Sequence, residues 1–89
     1  MNIVRKASAG TMESSDAYVE IAPGEQGLEI ELDSVVKAQF GEDILHAAKD
    51  VLAENGVSSA RVRIVDRGAL ECVIRARVET AIVRGRENA

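Results

Sequence analysis

Residues 66–79 read DRGALECVIRARVE, and they fit two templates. As a strand, Leu70, Cys72, Ile74, Ala76 and Val78 share one face. As a helix, Leu70, Val73, Ile74, Val78, Ala81 and Ile82 form one stripe, with Glu71 and Arg75 at the i,i+4 spacing of an ion pair. The preceding run weighs toward the strand. In residues 60–65, Ala60, Val62 and Ile64 alternate with Arg61 and Arg63. A three-residue hairpin loop takes glycine in its last, left-handed position, and Gly68 stands there. The resulting register sets Ile64 opposite Leu70, Val62 opposite Cys72 and Arg63 opposite Glu71. That last cross-strand ion pair contributes roughly 0.2–1 kcal/mol. The expectation is a hairpin around residues 60–78, then a short C-terminal helix from near Arg77 to about Arg84, ended by Gly85.

Working outward, residues 17–22 alternate with Ala17, Val19 and Ile21 on one side and Tyr18 and Glu20 on the other, a half-buried strand. The turn cluster PGEQG (23–27) ends it. Leu28, Ile30 and Leu32 then alternate with Glu29, Glu31 and Asp33. A short strand near residues 7–12 pairs with 17–22 in a hairpin near the N-terminus, which makes ESSD (13–16) its tip and leaves residues 1–6 as a loose lead-in. Asp33 or Ser34 caps a helical turn through Phe40, and Gly41 interrupts it. The main helix follows at about 42–55, where Ile44, Leu45, Ala48, Val51 and Leu52 form an apolar stripe. Glu42 and Asp43 sit at its positive end, and Gly56 fits a left-handed terminal position. The expected fold is α+β: a small antiparallel sheet of two hairpins packed against one main helix and a short C-terminal helix.

Composition narrows the function. A chain of 89 residues is enough for one domain, taken as residues 1–89, and too few for two. A core this small has no room to enclose a large active site as well. With one Tyr, one Phe and no Trp, the core is aliphatic and base-stacking platforms are lacking. The net charge of −4 is uneven: residues 1–60 carry 11 acids against 4 Lys/Arg, and residues 61–89 carry 7 Arg against 4 acids. Acidic character disfavours nucleic acid and anionic membranes as partners. One cysteine permits no internal disulfide, which fits a reducing compartment. The start, MNIVRKASAG, has no apolar run of signal-peptide length, and nowhere is there the roughly 18-residue apolar run of a membrane span. The expectation is a soluble cytoplasmic protein.

Candidate chemistry is sparse. The single His46 falls opposite the helix stripe, as solvated surface, and Cys72 falls on the apolar face of the expected strand, as a small hydrophobe. No clustered metal-ligand pattern occurs, and PGEQG lacks the lysine and helix of a phosphate loop. Arg61, Arg63, Arg75 and Arg77 share the outer face of the expected terminal hairpin, either as a salt-bridged surface or as a docking patch for an acidic partner. Ser14 and Ser15 remain. By composition ESSD is an ordinary turn, and no base lies nearby to make either serine a nucleophile. A serine at a hairpin tip is nonetheless well placed for modification by another enzyme.

Taken together, AGTMESSD (9–16), IAP (21–23), QFG (39–41), DVLAENGV (50–57) and DRGALECVIRARVE (66–79) resemble the acyl carrier protein (gamma subunit) family of citrate lyase across nearly the whole chain. The resemblance implies a carrier with no catalytic residues and no metal. Its serine is esterified through a phosphodiester to phosphoribosyl-dephospho-coenzyme A (phosphoribosyl dephospho-CoA). The family pattern T-x-E-S puts the attachment at Ser14; Ser15, where some members carry glycine, is the less favoured hydroxyl. The implied role is to present acetyl and citryl thioesters to an alpha (transferase) and a beta (lyase) subunit, which cleave citrate to acetate and oxaloacetate. A prosthetic-group transferase and an acetylating ligase are further implied partners. Glu13 and Asp16 are expected to meet basic residues of the modifying enzyme or to keep the tip solvated. Two rival readings are the carrier subunit of malonate decarboxylase and a small regulatory or interaction module with no prosthetic group.

Overall fold

The computed structural model describes residues 2–86; Met1 of the expected lead-in and residues 87–89 lie outside the described residues. Four strands, β1 (Ala7–Gly10), β2 (Ala17–Pro23), β3 (Leu28–Ser34) and β4 (Ala60–Asp66), form one sheet in the order β1-β2-β4-β3. Two helices, α1 (Lys37–Glu54) and α2 (Glu71–Arg86), cover one face of it. The α+β class and the N-terminal hairpin are as the sequence indicates, with Ala9 opposite Val19 and Gly10 opposite Tyr18.

The expected hairpin around residues 60–78 is not present. Residues 71–78 belong to α2, a helix of 16 residues rather than a short terminal one. The reason lies in the position of β4. It pairs antiparallel with β2, setting Val19 against Ile64, and parallel with β3, setting Leu32 against Ile64. Both of its edges are occupied, so no hydrogen-bonding row is left for a following strand. The helical stripe is the one realised: Ile74, Val78, Ala81 and Ile82 are buried, and Arg75 Nε donates to Glu71 Oε2 at 3.2 Å. Arg63 consequently stands between Glu20 and Glu31 instead of facing Glu71. Cys72, expected on the apolar face, is exposed on α2. Because β3 and β4 run parallel, the chain must cross over between them, and α1 is that crossover.

Helix α1 begins at Lys37 and runs through Gly41 without interruption. Gly41 is buried, and a Cβ added there would lie 3.2 Å from Lys37 Cγ and 3.8 Å from Leu32 Cδ2. The Leu32 distance is an ordinary van der Waals contact and Lys37 belongs to the same helix, so the glycine lies in a continuous helix that packs close to β3 without depending on the missing side chain. Glu42 and Asp43 fall beyond the first turn, which holds no acid. Ile44, Ala48, Val51 and Leu52 are buried as the stripe predicts, and Gly56 takes φ +70° just past the helix end. The lead-in is tied down: Ile3 is in the core, and Val4 and Arg5 N–H both donate to Gly85 O at 2.9 and 3.1 Å. Gly85 lies within α2, packed between Ile21 and Ile3, rather than ending the helix.

One buried acid organises the end of the sheet. Asp66, 1% exposed, accepts from Ser34 Oγ at 2.7 Å through Oδ2 and from Gly68 N and Ala69 N at 3.2 and 2.9 Å through Oδ1. Ser34 Oγ in turn accepts from Val36 N at 3.1 Å. The same carboxylate thus starts α2 directly and α1 through Ser34. Gly68, at φ +90°, serves this strand-to-helix turn rather than a hairpin. Asp66→Ala leaves these donors without their acceptor. Urea unfolding is expected to show a loss of about 2–4 kcal/mol, with Asp66→Asn recovering part of it.

Candidate functional site

The β1–β2 connection, residues 11–16, projects from the sheet at the same end as Asp66. Asp16 N donates to Glu13 O at 3.1 Å, closing a four-residue turn with Ser14 and Ser15 at its corners. Ser15 has φ +67°, the only positive φ among the described non-glycine residues, and a positive angle at the third residue marks a type II turn. Both serines are exposed. Among the described residues the Ser14 hydroxyl makes no hydrogen bond.

The turn is exposed but pinned. Ser15 N donates to Arg67 O at 2.7 Å, and Arg67 N donates to Asp16 O at 2.9 Å, joining the tip to the β4–α2 turn. The Asp16 carboxylate gathers the rest. It accepts from Thr11 Oγ1 at 2.6 Å and Thr11 N at 3.2 Å on Oδ2, and from Ala17 N at 2.7 Å on Oδ1. Arg77 reaches it from α2 with a two-pronged grip, Nε to Oδ1 and Nη2 to Oδ2, both at 3.1 Å. Gly10 makes room for this crossing: a Cβ there would lie 3.0 Å from Arg77 Cδ. Asp16 is therefore committed inside the protein, and of the two acids flanking the serines only Glu13 has a free carboxylate to offer a partner.

These donors hold the Asp16 carboxyl at about 2, with the Thr11 hydroxyl first among the causes, then the Ala17 amide, then Arg77, against an opposing effect of burial. A carboxyl whose folded value is lowered stabilises the fold at pH above its unfolded value of roughly 4, and that contribution is lost as pH falls toward about 2. An NMR titration is expected to place the Asp16 midpoint near 2, with Thr11→Val moving it upward. A wild-type midpoint near 4 would contradict the network.

The four arginines do not form one face. Arg61 and Arg63 lie on the open side of β4, while Arg75 and Arg77 belong to α2 on the other side of the sheet. Arg61 pairs with Glu29 at 3.2 Å, and Arg75 with Glu71, Asp50 and Glu54 at 3.2, 3.2 and 3.6 Å. The shared outer face is not formed; of the two readings, Arg61 and Arg75 follow the salt-bridged one in local ion pairs, and Arg77 becomes the support of the serine turn. His46 is solvent-exposed, as expected, 3.5 Å from Asp50. Among the described residues no group of three His, Cys, Asp or Glu could hold a metal ion, and no helix is long and apolar enough to cross a membrane.

The sequence and fold have counterparts among known proteins. The chain is 52% identical over 88 residues to the citrate lyase acyl carrier protein of Escherichia fergusonii, covering 98% of this chain and 91% of that one. It is 56% identical over 84 residues to that of Rhodopseudomonas palustris, covering 94% and 87%. The chain belongs to the citrate lyase acyl carrier protein family. Residues 4–85 also match the family described as the malonate decarboxylase delta subunit (MdcD). A crystal structure of a Pseudomonas malonate decarboxylase hetero-tetramer in complex with malonate contains the same fold, with a TM-score of 0.79 over 94% of this chain and 87% of that one, at 24% identity. Membership makes this an acyl-carrier-type chain rather than a free-standing enzyme.

Proposed function

We propose that this chain is the non-catalytic carrier subunit of citrate lyase, working in the cytoplasm, with phosphoribosyl-dephospho-CoA joined through a phosphodiester to Ser14 Oγ. The observation that carries the proposal is the Ser14 hydroxyl itself: exposed, without a hydrogen bond among the described residues, at the corner of a turn whose base is fixed. The residues present fit such a group. Ser14 supplies the attachment oxygen, the Arg67 and Asp16 contacts hold the turn, and Glu13 offers a carboxylate to a basic surface of the prosthetic-group transferase. When bound, the group supplies a thiol at the end of a long flexible arm. A tether of that kind makes transfer between partner sites effectively intramolecular, at roughly millimolar local concentration for short flexible linkers. The body then needs only rigidity, an exposed anchor and docking surfaces, in keeping with a chain that buries a core of aliphatic side chains and little else.

The partners in this reading are the alpha (transferase) and beta (lyase) subunits, which together cleave citrate to acetate and oxaloacetate, and an acetylating ligase. The match to the malonate decarboxylase delta subunit family and the shared fold favour a second reading, a malonate decarboxylase carrier. Reconstitution separates the two. Carrier purified with its group attached is combined with alpha and beta subunits of citrate lyase, or with the remaining subunits of malonate decarboxylase. Citrate cleavage restored in the first mixture supports the proposal; malonate decarboxylation restored only in the second overturns it.

A further inference from the structure

Beside the serine turn lies a second surface feature that the carrier role as described does not use. The start of α1 and the start of α2 enclose an apolar groove of about 260 Å³, lined by Val36, Phe40, Ile44, Leu70 and Ile74. Its lining also includes Asp66 and Ala69, on either side of the Arg67-Gly68 pair, and the Arg67 carbonyl accepts from Ser15. The groove and the serine turn therefore share the β4–α2 turn.

Leu70 is difficult to explain by folding. It immediately precedes α2, and its carbonyl accepts the first helical hydrogen bonds, from Val73 N at 3.0 Å and Ile74 N at 3.1 Å. That is the N-cap position, which favours Ser, Thr, Asp or Asn because their side-chain oxygens satisfy the free amides of the first turn. A leucine gives no such bond, and this one remains 72% exposed. Phe40, the only phenylalanine of the chain, is 52% exposed across the same groove. Two large apolar side chains thus stand in water around one concavity, one of them at a position where a polar residue would serve the fold better. Two acids stand at the exposed lining of the groove, Asp43 and Glu71; Glu71 is already paired with Arg75 at 3.2 Å, which leaves Asp43 as the carboxylate open to a partner among the described residues.

We propose that this groove is the docking site for a companion subunit of the lyase assembly, which inserts an apolar side chain between Phe40 and Leu70 and places a lysine or arginine against Asp43. This rests on the carrier reading for the identity of the partner, and it adds where that partner binds.

The test uses the full chain with purified alpha and beta subunits as probes, and measures three things for wild type, Leu70→Ser and Asp43→Lys. These are affinity for each subunit, Tm, and the intact-mass gain on treatment with the prosthetic-group transferase. Leu70→Ser is expected to bind at least one subunit tenfold or more weakly. Its Tm should rise by several degrees, because serine caps α2. Asp43→Lys is expected to weaken the same interaction and to reduce its sensitivity to salt. Unchanged affinity of Leu70→Ser for both subunits overturns the proposal, as does self-association of wild type that Leu70→Ser abolishes without altering subunit binding. A retained mass gain alongside lost binding places the effect at the groove. Absence of any mass gain in wild type counts against the carrier reading instead, whatever the groove variants bind.

Discussion

Gly10→Ala is expected to cost about 4 kcal/mol or more, or to prevent folding altogether. The residue ends β1 at φ +92°, and an added Cβ would lie only 1.9 Å from the carbonyl oxygen of Ala17 and 3.0 Å from its carbon. Neither atom is the far end of a flexible side chain; both are backbone of the paired strand. To accept a methyl group the hairpin must open at its base, where Asp16 and Ala17 anchor the turn. The Arg77 side chain, 3.0 Å away at Cδ, must shift as well. For a chain of 89 residues, with total stability on the order of 4–13 kcal/mol, such a loss is decisive. Urea denaturation and circular dichroism check it, and a Gly10→Ala protein melting within a degree or two of wild type would refute the close packing at this point.

Ser14→Ala is expected to have the opposite profile: complete loss of function with the fold untouched. The side chain is exposed and makes no hydrogen bond among the described residues, so stability should change by less than about 0.5 kcal/mol. In the reconstituted complex, however, citrate cleavage should fall to background, because no other anchor is supplied. Ser15→Gly is the matching control. Ser15 holds φ +67°, a conformation that costs roughly 1–2 kcal/mol for residues with a Cβ and little for glycine. That variant should retain activity and gain roughly 0.5–1 kcal/mol in urea unfolding. If Ser14→Ala keeps activity and Ser15→Gly loses it, the anchor has been assigned to the wrong hydroxyl.

The parts of the fold legible in the sequence are those fixed by neighbours along the chain. Alternation in residues 17–22 and 28–33, the stripe of α1, the left-handed Gly56 and the hairpin tip at Ser14 and Ser15 all express local periodicity or turn chemistry. The segment after Gly68 was ambiguous because a strand and a helix both gave it an apolar face. What decides it is the placement of β4 between β2 and β3, and alternation has the same period whether a strand lies at an edge or in the middle, parallel or antiparallel. The wrong placement of Cys72 and of Arg75 and Arg77 follows from that one choice. Gly41 reads as a break because a glycine inside a helix looks, in sequence, like one that ends a helix.

The candidate site divides in the same way. The exposed serine was visible from its turn, and its assignment as an anchor came from a family pattern. Its support was not visible, since Asp16 and Arg77 are 61 residues apart and meet only once α2 is packed against β1 and β2. Thr11, five residues from Asp16, was the one local signal: a hydroxyl placed to bond a nearby carboxylate within a tight connection. Asp66, which reads as a turn residue, turns out to be a buried acceptor serving the starts of both helices.

The most direct measurement is peptide mass mapping of the protein isolated from its native source during growth on citrate. Trypsin, cutting after Lys6 and Lys37, releases residues 7–37 as one peptide containing both Ser14 and Ser15. The peptide is expected to carry a mass equal to phosphoribosyl-dephospho-CoA joined through a phosphodiester, with fragmentation locating it on Ser14. An unmodified peptide from citrate-fermenting cells, or the group found on another residue, would contradict the account.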